Sequence, residues 1–179
     1  MCRYAMTTYK PHFACFECRK TFKRRLAIDI EGTTDFAIDA KCPQCKSLMA
    51  DMGLDFESPR KNDLKSWKHI KDLFTVGVTF HSCGCNGPGY IPRTNEKLIK
   101  YLEEKKVEFV KHLRFWLTRQ EPTTKRENEL DNRENWFEIG TIPQNLKSNK
   151  GKVNNSDAIN YWNGRIKDID NKIQGIKSI

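Results

Sequence analysis

Cys15-Phe16-Glu17-Cys18 and Cys42-Pro43-Gln44-Cys45 are the two stretches on which the reading of this chain turns. Each spaces two thiols so that one tight turn can present both to a single ion, and twenty-three residues separate the pairs, enough for two short strands and their turn. A closed cage of four thiolates suits Zn²⁺, which asks only for tetrahedral packing, and the binding free energy supplements the small core that such a segment can build. Iron in the same four-sulfur cage is the competing metal. Cys15, Cys18, Cys42 and Cys45 are therefore the candidate ligands, and Zn the candidate cofactor.

Between the pairs, Leu26, Ile28 and Ile30 alternate with polar residues, Glu31-Gly32-Thr33-Thr34 is turn-like, and Phe36, Ile38 and Ala40 alternate again. The pattern predicts a hairpin that returns Cys42 and Cys45 to Cys15 and Cys18. On its four cysteines, the segment from 12 to 48 resembles the zinc ribbon class. That resemblance implies a small β fold around one structural Zn²⁺. It implies no single activity, because zinc ribbons recur in transcription factors, ribosomal proteins, RNA-modifying enzymes and adaptors. The chain departs from the ribbon pattern at Arg19 and Lys46, where a glycine often follows the second cysteine.

The composition bounds the surroundings of this site. The 179 residues are 37% hydrophobic and 31% charged, a globular balance with room for a modest core but not for a large catalytic cavity. The opening residues lack the apolar core of a signal peptide, and no stretch is long enough to span a membrane. Seven cysteines in a chain read as cytoplasmic point to metal rather than to a disulfide framework.

The formal net charge is +9. Four thiolates around one Zn²⁺ would lower it by about two, so the chain stays basic. The excess lies at both ends, which favours an anionic partner over a small anionic substrate in a central pocket, although net charge serves solubility as well. Arg19, Lys20, Lys23, Arg24 and Arg25 form the densest cluster, with Phe22 among them. They are the candidate nucleic-acid contacts, the cations meeting phosphate and Phe22 stacking on a base. The competing account has the cations compensating the zinc–thiolate centre and Phe22 packing behind the knuckle.

Beyond the ribbon, Leu64, Trp67, Ile70, Leu73 and Phe74 recur at helical spacing after Ser58-Pro59 or Asn62-Asp63, with Gly77 as the limit. Val76 to Phe80 has strand composition and leads into the Gly-rich loop His81-Ser82-Cys83-Gly84-Cys85-Asn86-Gly87-Pro88-Gly89. Thr94 or Asn95 caps a long amphipathic helix to about Arg119. Residues 120–155 read as a polar linker carrying an apolar island of Trp136, Phe137, Ile139 and Ile142. Ser156-Asp157 then opens a helix whose Ile159, Trp162, Ile166, Ile169, Ile173 and Ile176 form a short coiled-coil-like heptad seam. The seam needs a partner, either the 95–119 helix in an antiparallel hairpin, a second copy, or another protein.

The expected architecture is α+β: a zinc ribbon at 1–50, a helix–strand body with the Gly-rich loop and long helix at 51–119, the linker at 120–155, and the heptad helix at 156–179. His81, Cys83 and Cys85 are candidates for a second metal or thiol site, against a plain glycine-rich turn with partly buried thiols. No phosphate-cradling loop, dinucleotide fingerprint or nucleophile elbow is present, so an enzyme is the minority expectation. The leading expectation is a non-catalytic zinc-ribbon protein that binds nucleic acid or a ribonucleoprotein surface. A protein-interaction adaptor assembling through residues 156–179, as a homo-oligomer or with another protein, comes second. A thiol or metal-dependent enzyme at the His81 loop comes third.

Overall fold

A computed structural model describes residues 9–25, 40–82, 86–148 and 151–178. The fold is mixed α and β, and the chain divides into two compact units, Met1–Leu98 and Ile99–Ile179.

The first unit is built on a three-stranded antiparallel sheet in the order β2-β1-β3, with β1 at His12–Cys15, β2 at Lys20–Lys23 and β3 at Ala50–Gly53. Cys15 pairs with Lys20, so the first Cys-x-x-Cys is the turn that joins β1 to β2. The pleat sorts the side chains onto two faces. On one, Cys15 joins Ala40, Cys42 and Met49, with Phe13, Cys18 and Phe22 packed around them. On the other, Ala14, Ala50 and Met52 meet Phe56, Trp67 and Ile70. Trp67 and Ile70 come from α1, Leu64–Thr75, whose buried residues are Trp67, Ile70 and Leu73. Asp63 caps α1 by accepting from the Ser66 N–H and hydroxyl at 3.0 and 2.7 Å.

Val76 to Phe80, expected as a strand, is not one. The Gly77 N–H donates to Phe74 O and the Val78 N–H to Leu73 O, the paired bonds by which a glycine at φ +85° closes a helix. These residues finish α1 instead of entering the sheet, and only Phe80 reaches back to β3, donating to Met52 O at 2.8 Å. The hairpin expected over 25–40 lies largely outside the described residues.

α2, Asn95–Thr118, begins in the first unit, where Thr94 Oγ1 accepts from the Lys97 N–H, and gives most of its length to the second. The second unit adds α3 (Lys125–Glu134), α4 (Trp136–Thr141), a 3₁₀ turn at Gln144–Leu146 and α5 (Asn155–Lys177). Its contacts run antiparallel between α2 and α5: Trp116 clusters with Ala158, Phe109 meets Trp162 at 5.2 Å between centroids, and the Lys106 ammonium binds Asp170 at 2.6 Å. Of the heptad seam, Trp162, Ile169, Ile173 and Ile176 are buried and Ile159 and Ile166 half-buried within the chain itself.

The segment expected as a polar linker is instead largely helical. α3 buries no apolar side chain, so no apolar periodicity announces it. A capping box between Thr124 and Glu127 holds its start, and a guanidinium holds its far end. Arg119, 3% exposed, donates twice to the Asp131 carboxylate and bonds Val153 O and Asn155 Oδ1, tying the end of α2 to α3 and the start of α5. Ile139 and Ile142 of the apolar island are buried in the cluster around Trp116, whereas Trp136 and Phe137 stay exposed.

Candidate metal centre

Two knuckles of matching design bring four thiols together. In the first, the β1–β2 turn carries Cys15 and Cys18, and the Cys18 N–H donates to Cys15 Sγ at 3.4 Å. In the second, a small hairpin closes around Cys42 and Cys45: Lys41 bridges Leu48, the Cys42 N–H donates to Ser47 O, and the Lys46 N–H donates to Cys42 O. The four Sγ atoms all lie within 4.8 Å of one another. Cys15 and Cys45 approach to 3.5 Å, and Cys42 and Cys18 to 4.0 Å. Cys15 and Cys42 are buried while Cys45 is exposed, so the cluster opens to solvent on one side.

The four thiols ionise unequally. Hydrogen bonds from the Ser47 hydroxyl and N–H bring Cys45 down to about 6, and backbone N–H groups of Cys45 and then Gln44 lower Cys42 despite its desolvation. Burial pushes Cys15 up, and hydrogen bonding with Cys45 followed by desolvation pushes Cys18 up to about 12. A thiophilic divalent cation held by these four residues would displace the remaining protons and offset half of the charge of four thiolates packed at mutual contact. The donor set and its spacing fit a tetrahedrally coordinated metal ion.

The cationic cluster beside the first knuckle is not gathered into one surface. Arg19 Nε donates to Lys61 O at 3.1 Å, and Arg24 Nη2 donates to Lys41 O at 2.5 Å, so two of the five hold neighbouring loops. Lys20, Lys23 and Arg25 are exposed, but Lys20 and Lys23 sit on opposite faces of β2, an edge strand. Phe22 is half-buried against the knuckle cluster rather than presented to solvent.

At the Gly-rich loop, His81 Nε2 lies 3.3 Å from Asp51 Oδ1 and its Nδ1 2.9 Å from Thr79 Oγ1. Cys83 and Cys85 lie outside the described residues. Sequence reading did not find the cleft beside α1, where Lys65, Lys68, Arg93 and Lys97 converge. Its only linear signal is the pair of basic residues three apart in α1, which does not say what they face. Among the described residues no helix is long and apolar enough to cross a membrane. No protein-family model matches the chain, and neither a curated protein nor a solved structure matches it significantly.

Proposed function

We propose that the chain is a zinc-stapled module that binds nucleic acid, with Cys15, Cys18, Cys42 and Cys45 holding one structural Zn²⁺ and the ribbon's exposed cations Lys20, Lys23 and Arg25 meeting phosphate. The observation that carries the metal half is the four-thiol cluster. A tetrahedral ion with Zn–S bonds of about 2.3 Å spaces its sulfurs about 3.8 Å apart, and the 3.5 and 4.0 Å separations bracket that edge. A closed set of four protein ligands leaves no open position for substrate, so the metal's role is to hold two knuckles that share few apolar side chains. A reducing cytosol suits four free thiols.

The nucleic-acid half is supported by net charge and by the exposure of three cations that make no ion pair among the described residues. Native mass spectrometry tests the metal by showing one Zn²⁺ per chain. Salt-dependent binding of the zinc-loaded chain to RNA and DNA tests the partner. Reversing Lys20, Lys23 and Arg25 to Glu is expected to flatten the dependence of affinity on salt by about one to two contacts, because Lys20 and Lys23 face opposite sides of β2. Unchanged affinity and slope would remove this reading. Arg19 and Arg24 are poor targets for that test, since reversing either breaks a bond inside the fold.

An adaptor role is the second reading. The observation that favours it is the exposure of Trp136 and Phe137, 69% and 58%, on α4, since adjacent exposed aromatics are enriched at protein contacts. A Trp136→Ser, Phe137→Ser chain with unaltered solution mass and partner capture would count against it.

A further inference from the structure

We propose that the cleft between α1 and the segment Pro88–Lys97 is a nucleotide-binding site, taking phosphate on Lys65, Lys68, Arg93 and Lys97 and an aromatic base against Tyr90. The site goes beyond the ribbon reading and shares no residue with Lys20, Lys23 or Arg25. The cleft encloses about 1070 Å³ and lies wholly within the first unit. That is room for a nucleoside phosphate or for one or two residues of a strand.

Four cations line it, against the single carboxylate of Glu96. Lys65 and Lys68 stand one turn apart on α1, while Arg93 and Lys97 flank the start of α2, so positive charge faces the space from both walls. None of the four forms an ion pair among the described residues, whereas Lys105, Lys106 and Lys152 elsewhere are each matched to an acid. Glu96 is ionised and its charge acts on Lys65, so it offsets about one of the four and leaves an excess of positive charge. Hydrogen bonding with the Thr94 side chain and then a backbone N–H hold its carboxyl below the usual range, which keeps it tied to the helix start.

Ile70, Leu73 and Phe80 give the cleft an apolar floor, and Tyr90, 65% exposed, stands at its wall. An apolar floor, an exposed ring and convergent cations match a planar base joined to a phosphate, and match neither a simple anion nor a lipid chain. The walls are set before a ligand arrives, because the ring nitrogens of His69 lie 2.8 Å from Asn95 Oδ1 and 2.9 Å from Pro92 O, pinning α1 to the segment opposite. Such preorganisation lowers the ordering cost of binding.

The test uses the zinc-loaded full chain and fluorescence anisotropy with labelled twelve-residue oligo(U) and oligo(dT), competed by ATP, by AMP, and by polyglutamate as a polyanion without bases. Tyr90→Ala is expected to weaken oligonucleotide binding about ten-fold without altering the salt slope. Lys65→Glu with Lys68→Glu is expected to lower that slope by about two. All three residues are exposed, so folding should persist, and zinc content with circular dichroism confirms it. Competition by ATP or AMP at micromolar concentration would identify a free nucleotide as the ligand, and competition by oligonucleotide alone would identify a strand. Cleft variants that bind like wild type, polyglutamate competing as well as the oligonucleotides, or no binding to any probe would each overturn the proposal. The ribbon variant run in parallel separates the sites: loss there with cleft variants intact would overturn the cleft and leave the ribbon standing.

Discussion

Arg19 and Lys46 hold the same place in two successive knuckles, one residue past the second cysteine of each, and both adopt left-handed backbone at φ +50° and +66°. They are the non-glycine residues with positive φ among the described residues. The glycine missing from the sequence pattern is therefore missing in residue type but present in conformation. A left-handed non-glycine residue costs about 1–2 kcal/mol. The knuckles bear that cost because the turn must aim N–H groups at sulfur.

Lys46→Gly should consequently stabilise the zinc-loaded chain by about 0.5–1 kcal/mol, since relief of the left-handed cost outweighs the extra chain entropy of glycine. Lys46→Ala should be nearly neutral and Lys46→Val destabilising by about 1 kcal/mol. Denaturant unfolding that ranked Val above Gly would show that the backbone conformation does not govern this turn.

Gly53 presents a different constraint. Its φ is +88°, and a Cβ there would lie 2.6 Å from His81 N and Phe80 C, atoms of the backbone that cannot swing aside. Gly87 has φ +70° with nothing within 4 Å of a Cβ, so it isolates the conformational cost. Gly53→Ala should cost about 3 kcal/mol or more, and Gly87→Ala about 1 kcal/mol. Equal losses in urea titrations would mean that the return of Phe80 to β3 is not tightly packed.

The buried pair in the second unit should set an acid limit. Asp131 is 10% exposed; burial pushes its carboxyl up, but hydrogen bonds from Arg119 and Asn135 and the guanidinium charge outweigh it, and the group sits below the usual range. A depressed folded pKa contributes stability that is present above the unfolded value of about 3.9 and lost as pH falls through the folded value. Stability should therefore decline below about pH 4, with that part of the decline absent in Asp131→Asn. Arg119→Met should cost about 3–5 kcal/mol by stranding the carboxylate, and Arg119→Met with Asp131→Leu should recover much of the loss. Double-mutant losses that simply add would contradict a coupled pair.

What could be read from the sequence follows from where each signal resides. The thiol cluster and the helices at 95–118 and 155–177 were legible because Cys-x-x-Cys spacing and apolar periodicity are local. α3 was missed because it is polar except for the exposed Leu130; its one local sign, Thr124 with Glu127 three residues on, outweighs no run of charges unless Arg119 is known to reach Asp131. Phe22 and Arg24 were open to two accounts because their neighbours, the knuckle core and Lys41 O, are fixed only by the fold. The cationic cleft beside α1 escaped for the same reason: convergence of four cations is a property of space.

Metal removal gives the sharpest check on the first unit. Structural zinc sites contribute on the order of 10 kcal/mol, comparable to the whole stability of a domain. The sheet that carries Cys15 packs Trp67 on its opposite face, so stripping the metal should loosen the environment of that indole. Chelation should release one Zn²⁺ per chain and shift tryptophan fluorescence to the red, and Trp67→Phe should abolish most of that shift. Trp162→Phe should retain it, because the cluster around Trp162 contains none of the four thiols. Cys15→Ser should reproduce the chelated spectrum without chelator. A chain that gives up its metal and keeps its fluorescence and cooperative unfolding would show that the two knuckles are held by something other than the ion.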